Sequence, residues 1–485
     1  MKTARVNPEE WRGAVRRLAI ASGEFGLVSL WGEPGGVRMA VRTHEEQIRV
    51  MALGCPAGVF PSVGAHVPPA IRLERSVADL YGLTPYGAQD RRPWLDHGRW
   101  ERRRPLGPAR SADPGDGAPP YDFLAVEGEG LHRIPVGPVH AGIIEPGHFR
   151  FTAAGETVVR LEERLGYAHR GLEARMAGAS IEAAARLAAR ASGDSTVAYS
   201  IAFARAAEGA LGVNAPARAH WLRALMAELE RLANHIGDIG AICNDAAFPL
   251  MHAHCGALRE DVLRAADAAF RHRLMMDCVV PGGVARDVSE AGVAAIRAVL
   301  KLVRARFPVL VELYDGAASL QDRTVGTGVV RPELAERFGA GGFVGRASGR
   351  AFDARRALPY PPYDALDLET PRREEGDVNA RVWVRIEEVG QSLALIEQIL
   401  ERAPQGEVLA SLAKGSGEGL ALVEGFRGDI FAWVAIEGGA VERAHLRDPS
   451  WFQWPLLEAA IEGNIVADFP LCNKSFNCSY AGVDL

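Results

Sequence analysis

Cysteine is scarce in this chain and never paired. The six residues, Cys55, Cys243, Cys255, Cys278, Cys472 and Cys478, are scattered with no Cys-x-x-Cys among them. That spacing excludes a disulfide framework and an iron–sulfur cluster held by this chain, and it suits free thiols in a reducing cytosol. Long hydrophobic runs are missing too. No stretch approaches the ~18 apolar residues of a membrane helix, so membrane attachment is expected only through partner chains. Met1-Lys2-Thr3-Ala4-Arg5 lacks the apolar core of a signal peptide. Nor is there a basic excess: the net charge of -6 argues against nucleic acid as a partner. The one basic cluster, Arg99 through Arg104, adjoins a Pro/Gly-rich stretch and reads as a solvated linker edge.

What is present is a long, patterned chain. At 485 residues it has room for two or three domains with a real core. Leu27–Leu30 and Val37–Val41 flank Gly32-Glu33-Pro34-Gly35-Gly36, a strand–turn–strand pattern. Residues 104–120 are rich in Pro, Gly and Asp and read as a linker. Beyond it, Leu222, Leu225, Met226, Leu229, Leu232, Ile236 and Ile239 recur at helical spacing over 216–241. Residues 256–275, 289–306 and 382–402 repeat the pattern, which predicts a bundle of long helices. Asp429–Val434 and Val441–Leu446 around Glu437-Gly438-Gly439 signal a hairpin. Lys414-Gly415-Ser416-Gly417-Glu418-Gly419 has the look of a phosphate loop but lacks its Gly-to-Lys spacing.

Three motifs carry more than pattern. Gly137-Pro138-Val139-His140 is followed by Glu145-Pro146-Gly147-His148-Phe149-Arg150 and then by Gly166-Tyr167-Ala168-His169-Arg170-Gly171. This run resembles the large subunit of hydrogenase-3/4 type (group 4, energy-converting) nickel–iron hydrogenases and its complex I counterpart, the 49 kDa subunit. Glu74, Arg75, Asp79, Leu80, Tyr81, Gly82, Arg91 and Arg92 similarly resemble the signature of the complex I 30 kDa subunit, with Ser76 where that family has a second acid. Without the family, the Asp-Leu-Tyr-Gly end would simply be a helix capped by glycine. Gly345-Arg346-Ala347-Ser348-Gly349 and Gly376-Asp377-Val378-Asn379-Ala380-Arg381 extend the match. The resemblance implies an α+β chain in three parts. A small N-terminal α/β domain (1–103) and a linker (104–120) precede a mainly helical large-subunit domain with small β additions (121–485).

The resemblance also implies what is absent. The family holds nickel through two cysteine pairs, and the corresponding slots here are Ser192, Ser195, Ser479 and Gly482. Soft nickel needs deprotonated sulfur in that geometry, and a serine alkoxide is not available near neutral pH. No bound metal is therefore expected on this chain, and no hydrogenase activity; of the cofactors, the resemblance leaves only a quinone open. Hydrogenase relatives often lose a C-terminal peptide after nickel insertion; with Leu485 close behind the Gly482 slot, none is expected here. Cys472 and Cys478 lie outside the slots and are expected as buried free thiols.

The remaining expectations are residue by residue. By resemblance Glu145 relays protons from a cavity near Ser192 and Ser479, where burial would raise its pKa; its bland role is to hold the Pro146-Gly147 turn. His140 lines the same cavity or is a structural histidine, and His148 and Tyr199 are the remaining residues for a quinone-like cavity. The tyrosine that meets the quinone headgroup in complex I corresponds to Gly193 here. His169, Arg170 and the tail Phe476–Leu485 are expected on the face that docks a small iron–sulfur subunit. Glu228, Glu230, Arg231 and His235 are expected to meet on one helix face as an ion network. The implied partners are a small iron–sulfur subunit carrying the cluster, a ferredoxin-like subunit and multi-span membrane subunits. The implied place is peripheral, on the cytoplasmic face of the membrane. The function implied first is a subunit coupling electron transfer to protons or an acceptor. A quinone-reducing subunit and a silent scaffold in an ion- or bicarbonate-handling complex are the alternatives.

Overall fold

The computed structural model describes residues 3–20, 26–43, 47–108, 110–111, 121–141 and 144–485. Most of the expected 104–120 linker lies outside them.

The first strand, Ala4–Val6, runs parallel to Ile48–Gly54, which pairs antiparallel with Gly36–Arg42 and through it with Gly26–Glu33. The helix Pro8–Ile20 buries Trp11, Ala14, Val15 and Leu18, a helical stripe laid against this sheet. A second helix, Ala70–Tyr81, stops at Gly82, whose φ of 72° lets its N–H reach the Ala78 carbonyl. Two acids of the signature staple this helix to its surroundings. Glu74 accepts from the backbone N–H groups of Val63 and Gly64, and Asp79 from those of Trp94, Leu95 and Asp96.

A three-stranded antiparallel sheet follows, with His148–Ala154 between Leu131–Val136 and Thr157–Arg164. The bundle is built from the helices Thr196–Leu211, Ala217–Asp245, Pro249–Phe270, Glu290–Gly316 and Val378–Arg402. Pro249 starts its helix seven residues ahead of the periodic stretch that begins at 256, because proline is preorganised for a first turn. The Glu290 helix, whose pattern fades at 306, continues through Pro308 to Gly316. The hairpin strands Gly428–Glu437 and Ala440–Arg447 appear where expected, with a third strand, Gly417–Gly425, emerging from the glycine-rich stretch. The architecture is α+β, a small α/β unit followed by a helical bundle with small sheets, as the sequence implies. No described helix is long and apolar enough to cross a membrane.

The cores show how the parts are joined. Leu229, Leu232, Ile236, Val382 and Ile396 centre the bundle core. A second core runs from Trp11, Leu73 and Trp94 of the N-terminal unit into Phe149, Phe343, Trp454 and Phe476. The N-terminal sheet therefore shares one apolar interior with the tail.

Candidate functional site

The short turn Gly193–Ser195, the hairpin entry at Arg427, the tail around Asn473–Ala481 and Ile144–Glu145 enclose a polar cavity of about 340 Å³. Two of the four slots, Ser192 and Ser479, line it. Ser192 Oγ donates to Asp194 Oδ1 at 2.8 Å and lies 2.9 Å from Ser479 Oγ. A hydroxyl has one proton to give. Ser192 spends its own on Asp194, so Ser479 is the donor between the two serines. Ser479 Oγ accepts in turn from the Gly482 N–H at 2.9 Å, capping the final helix Tyr480–Asp484. The result is a directed chain from Gly482 through Ser479 and Ser192 to Asp194.

Asp194 is held by Arg427, which forms an ion pair with its carboxylate and reaches Ser195 Oγ at 3.1 Å. Burial acts to raise the Asp194 pKa, but the guanidinium and the Ser192 hydroxyl outweigh it and hold the carboxyl below its ordinary range. Arg427 also donates from Nε to the Asn477 carbonyl at 2.5 Å, and Asn477 Nδ2 donates to Asp238 at 2.9 Å. Behind Gly482, a Cβ would fall 2.6 Å from Asp448 Oδ2. The floor presents hydroxyl oxygens where the resemblance has thiolates. Its donors are two hydrogen-bonded serine hydroxyls and a third serine paired with a cation. Among the described residues no three His, Cys, Asp or Glu side chains are grouped as a metal ion requires. Cys478 lines the cavity, but burial pushes its thiol well above the usual range, so it stays protonated.

The other expected site residues divide. Glu145 reaches the cavity but is exposed, not enclosed; its Oε2 accepts from the Ala481 N–H at 2.8 Å and pins the tail from the open side. His140 is half-buried behind it, with Nε2 3.3 Å from the Tyr480 hydroxyl and its ring against Phe149. His148 does not line the cavity. It is buried against Phe123 and hydrogen-bonded near the Gly137 carbonyl, and burial lowers its pKa. Tyr199 is also outside: it is fully buried and donates to Asp448 Oδ2 at 2.7 Å, because it sits on the core side of its helix. Arg170 is exposed and His169 half-buried, yet both hold the tail. Arg170 donates to the Arg190 and Ala191 carbonyls, and His169 Nδ1 lies 2.6 Å from the Asp484 carbonyl. The tail itself, expected on a docking face, is largely buried inside this chain, with Asn477 the most open of its residues from Phe476 to Leu485.

The expected ion network on the Ala217–Asp245 helix forms without Glu230. Glu228 meets Arg231 and Arg355, and His235 Nε2 lies 2.6 Å from Glu388. Arg346 joins Glu388 at 2.6 Å to Glu424 at 2.9 Å. Glu230 turns the other way, accepting from the Val197 and Ala198 N–H groups at the start of the Thr196–Leu211 helix, and burial raises its pKa to about 8. Arg427 and Asp448 were not singled out in the sequence. Arg427 lies 233 residues from Asp194, and no local pattern ties them.

The helical bundle thus sets the 193–195 turn and the C-terminal tail across one pocket. A model of the respiratory-chain NADH dehydrogenase 49 kDa subunit matches residues 250–416. Formate hydrogenlyase subunit 5 of Escherichia coli (strain K12) is 31% identical over 88% of this chain and 77% of its own. An NADH-quinone oxidoreductase subunit of Syntrophobacter fumaroxidans is 31% identical over 72% of this chain and 95% of its own. Among solved structures, a chain of the membrane-bound sulfane sulfur reductase, an archaeal respiratory membrane complex, superposes with a TM-score of 0.69 at 26% identity, covering 74% of this chain and 99% of that one. The chain belongs to the oxidoreductase family that unites the large subunits of group 4-type hydrogenases with the 49 kDa subunit of NADH-quinone oxidoreductases.

Proposed function

We propose that this chain is the peripheral large subunit of a membrane-bound, complex I-like oxidoreductase related to the energy-converting hydrogenases, in which the former metal pocket moves protons instead of holding nickel. The relatives' own names, a formate hydrogenlyase subunit and an NADH-quinone oxidoreductase subunit, support the setting. The observation that carries the reading is the directed hydroxyl chain from Ser479 through Ser192 to Asp194, closed by Arg427. Such a chain passes a proton by rotating hydroxyls, and Glu145 stands at the open side of the same cavity. Electrons would come from an iron–sulfur cluster in a small partner subunit fed by a ferredoxin-like chain, and multi-span partners would seat the assembly on the cytoplasmic face of the membrane. The quinone-reducing alternative has less support, since Tyr199 and His148 both lie outside the cavity.

The test uses the complex purified from membranes under anaerobic conditions. Elemental analysis should find nickel far below one atom per chain, and Glu145→Gln should slow acceptor turnover and its coupled proton uptake. Stoichiometric nickel would overturn the pocket assignment. Unchanged turnover and coupling in Glu145→Gln would leave the scaffold reading in its place.

A further inference from the structure

A second cavity, of about 270 Å³, lies at the seam between the N-terminal sheet and the tail and shares no lining residue with the Ser192–Ser479 pocket. Its walls are mainly apolar, with the indoles of Trp31, Trp100 and Trp451 beside Leu73, Val77 and Val483. Both histidines inside are already engaged. His445 uses both ring nitrogens, one 2.8 Å from Glu173 Oε1 and the other 2.8 Å from Ser29 Oγ, and its ring stacks on Trp31 at 4.9 Å. His169 is bonded to the Asp484 carbonyl. The interior offers surface chiefly for an apolar body, with the Trp31 and Trp451 indole N–H groups lacking partners among the described residues.

The rim is different. The basic cluster expected to be a solvated linker edge folds over this cavity, and Trp100, Arg102, Pro105 and Leu106 form one wall. Arg102 is exposed, and among the described residues no carboxylate pairs with its guanidinium. Protein interiors leave few voids larger than a water molecule, so an apolar chamber of this size beside an exposed cation calls for an occupant. A cavity of about 150 Å³ takes benzene; this one has room for about two rings' bulk or a medium-length acyl chain.

We propose that this cavity is a binding site for a small amphiphilic anion, with its apolar body in the tryptophan-lined chamber and its carboxylate or phosphate at Arg102. The site stands independently of the proton-handling reading, because it uses none of that pocket's residues.

Decanoate, decyl phosphate and decanol titrated into the full chain in its native complex test the idea, with intrinsic tryptophan fluorescence as the readout. Saturable binding of decanoate or decyl phosphate is expected, with decanol weaker by about tenfold for the lost charge. Arg102→Glu should weaken the two anions by about tenfold or more and leave decanol within about twofold. Ala174→Phe, which fills the chamber, should abolish all three. Arg102 lies on the surface, so its variant reports whether or not Ala174→Phe folds. No saturable binding, decanol binding as tightly as the anions, or anion affinities unmoved by Arg102→Glu would each overturn the proposal.

Discussion

Ser479 Oγ donates to Ser192 Oγ at 2.9 Å, across 287 residues of sequence. The same Ser479 oxygen caps the last helix by accepting from Gly482. One atom therefore serves both the pocket floor and the tail, and removing it costs on both counts. Ser479→Ala should destabilise the chain by about 1–2 kcal/mol, combining a lost cap with a lost buried hydrogen bond. Ser479→Thr, which keeps the hydroxyl, should recover most of that. Thermal melts of the two variants check it, and equal melting points would remove the dual role.

Arg427 is the cation that makes Asp194 tenable. Its loss leaves a carboxylate whose side chain is 35% exposed, so solvent repays part of the penalty. Arg427→Ala is expected to cost about 1–3 kcal/mol, less than the ~3–5 kcal/mol of a sealed pair. The pH dependence has a definite sign. A depressed carboxyl pKa contributes stability that is complete above the unfolded value of about 3.9 and is lost as pH falls through the folded one. Acid unfolding of Arg427→Ala should therefore show a shallower fall below about pH 4 than the parent. A steeper fall would contradict the ion pair.

How far the sequence reached follows from the range of each interaction. The Ala217–Asp245 helix was legible because one long apolar stripe sets its period. The second half of Glu290–Gly316 was not, since Pro308 and exposed residues such as Val309 break the stripe while neighbouring helices hold it. Gly417–Gly425 hid in a glycine-rich stretch; Gly419 is glycine because a Cβ would meet the Ala206 carbonyl oxygen at 1.9 Å. At the pocket, Ser192 and Ser479 came from motif resemblance, whereas Arg427 depends on a fold that brings distant loops together. Glu145 was expected inside and lies exposed, because the tail it grips, not the carboxylate itself, occupies the interior.

Arg346 is wholly buried and bridges two carboxylates, Glu388 and Glu424, the first of which also holds His235. Arg346→Leu takes the cation from Glu424 and leaves Glu388 to His235 and Arg231, and should cost about 3–5 kcal/mol, enough to cut soluble yield sharply. Arg346→Lys should recover only part, because a single ammonium lacks the fork that reaches both partners. Urea unfolding of whatever folds ranks the three proteins; a lysine variant as stable as the parent would show that charge alone suffices.

Asp484 ties the tail to the Gly166 turn, accepting from the N–H groups of Gly166 at 2.7 Å and Ala168 at 2.8 Å. Burial raises its pKa to about 7 despite those two donors, and Glu145 adds to the rise. The unfolded value is about 3.9, so between the two the folded chain keeps a proton that the unfolded chain has released. That contribution is full below about pH 4 and is lost as pH climbs through 7. Glu74, raised to about 7, and Glu230, raised to about 8, push the same way. The melting temperature should accordingly fall from about pH 5 to about pH 8. Asp484→Asn cannot titrate, and its amide oxygen can still accept one of the two N–H groups. It should start lower by about 1 kcal/mol at pH 5 and show a shallower decline than the parent. Parallel pH profiles for the two proteins would mean that Asp484 ionises as freely in the folded chain as in the unfolded one.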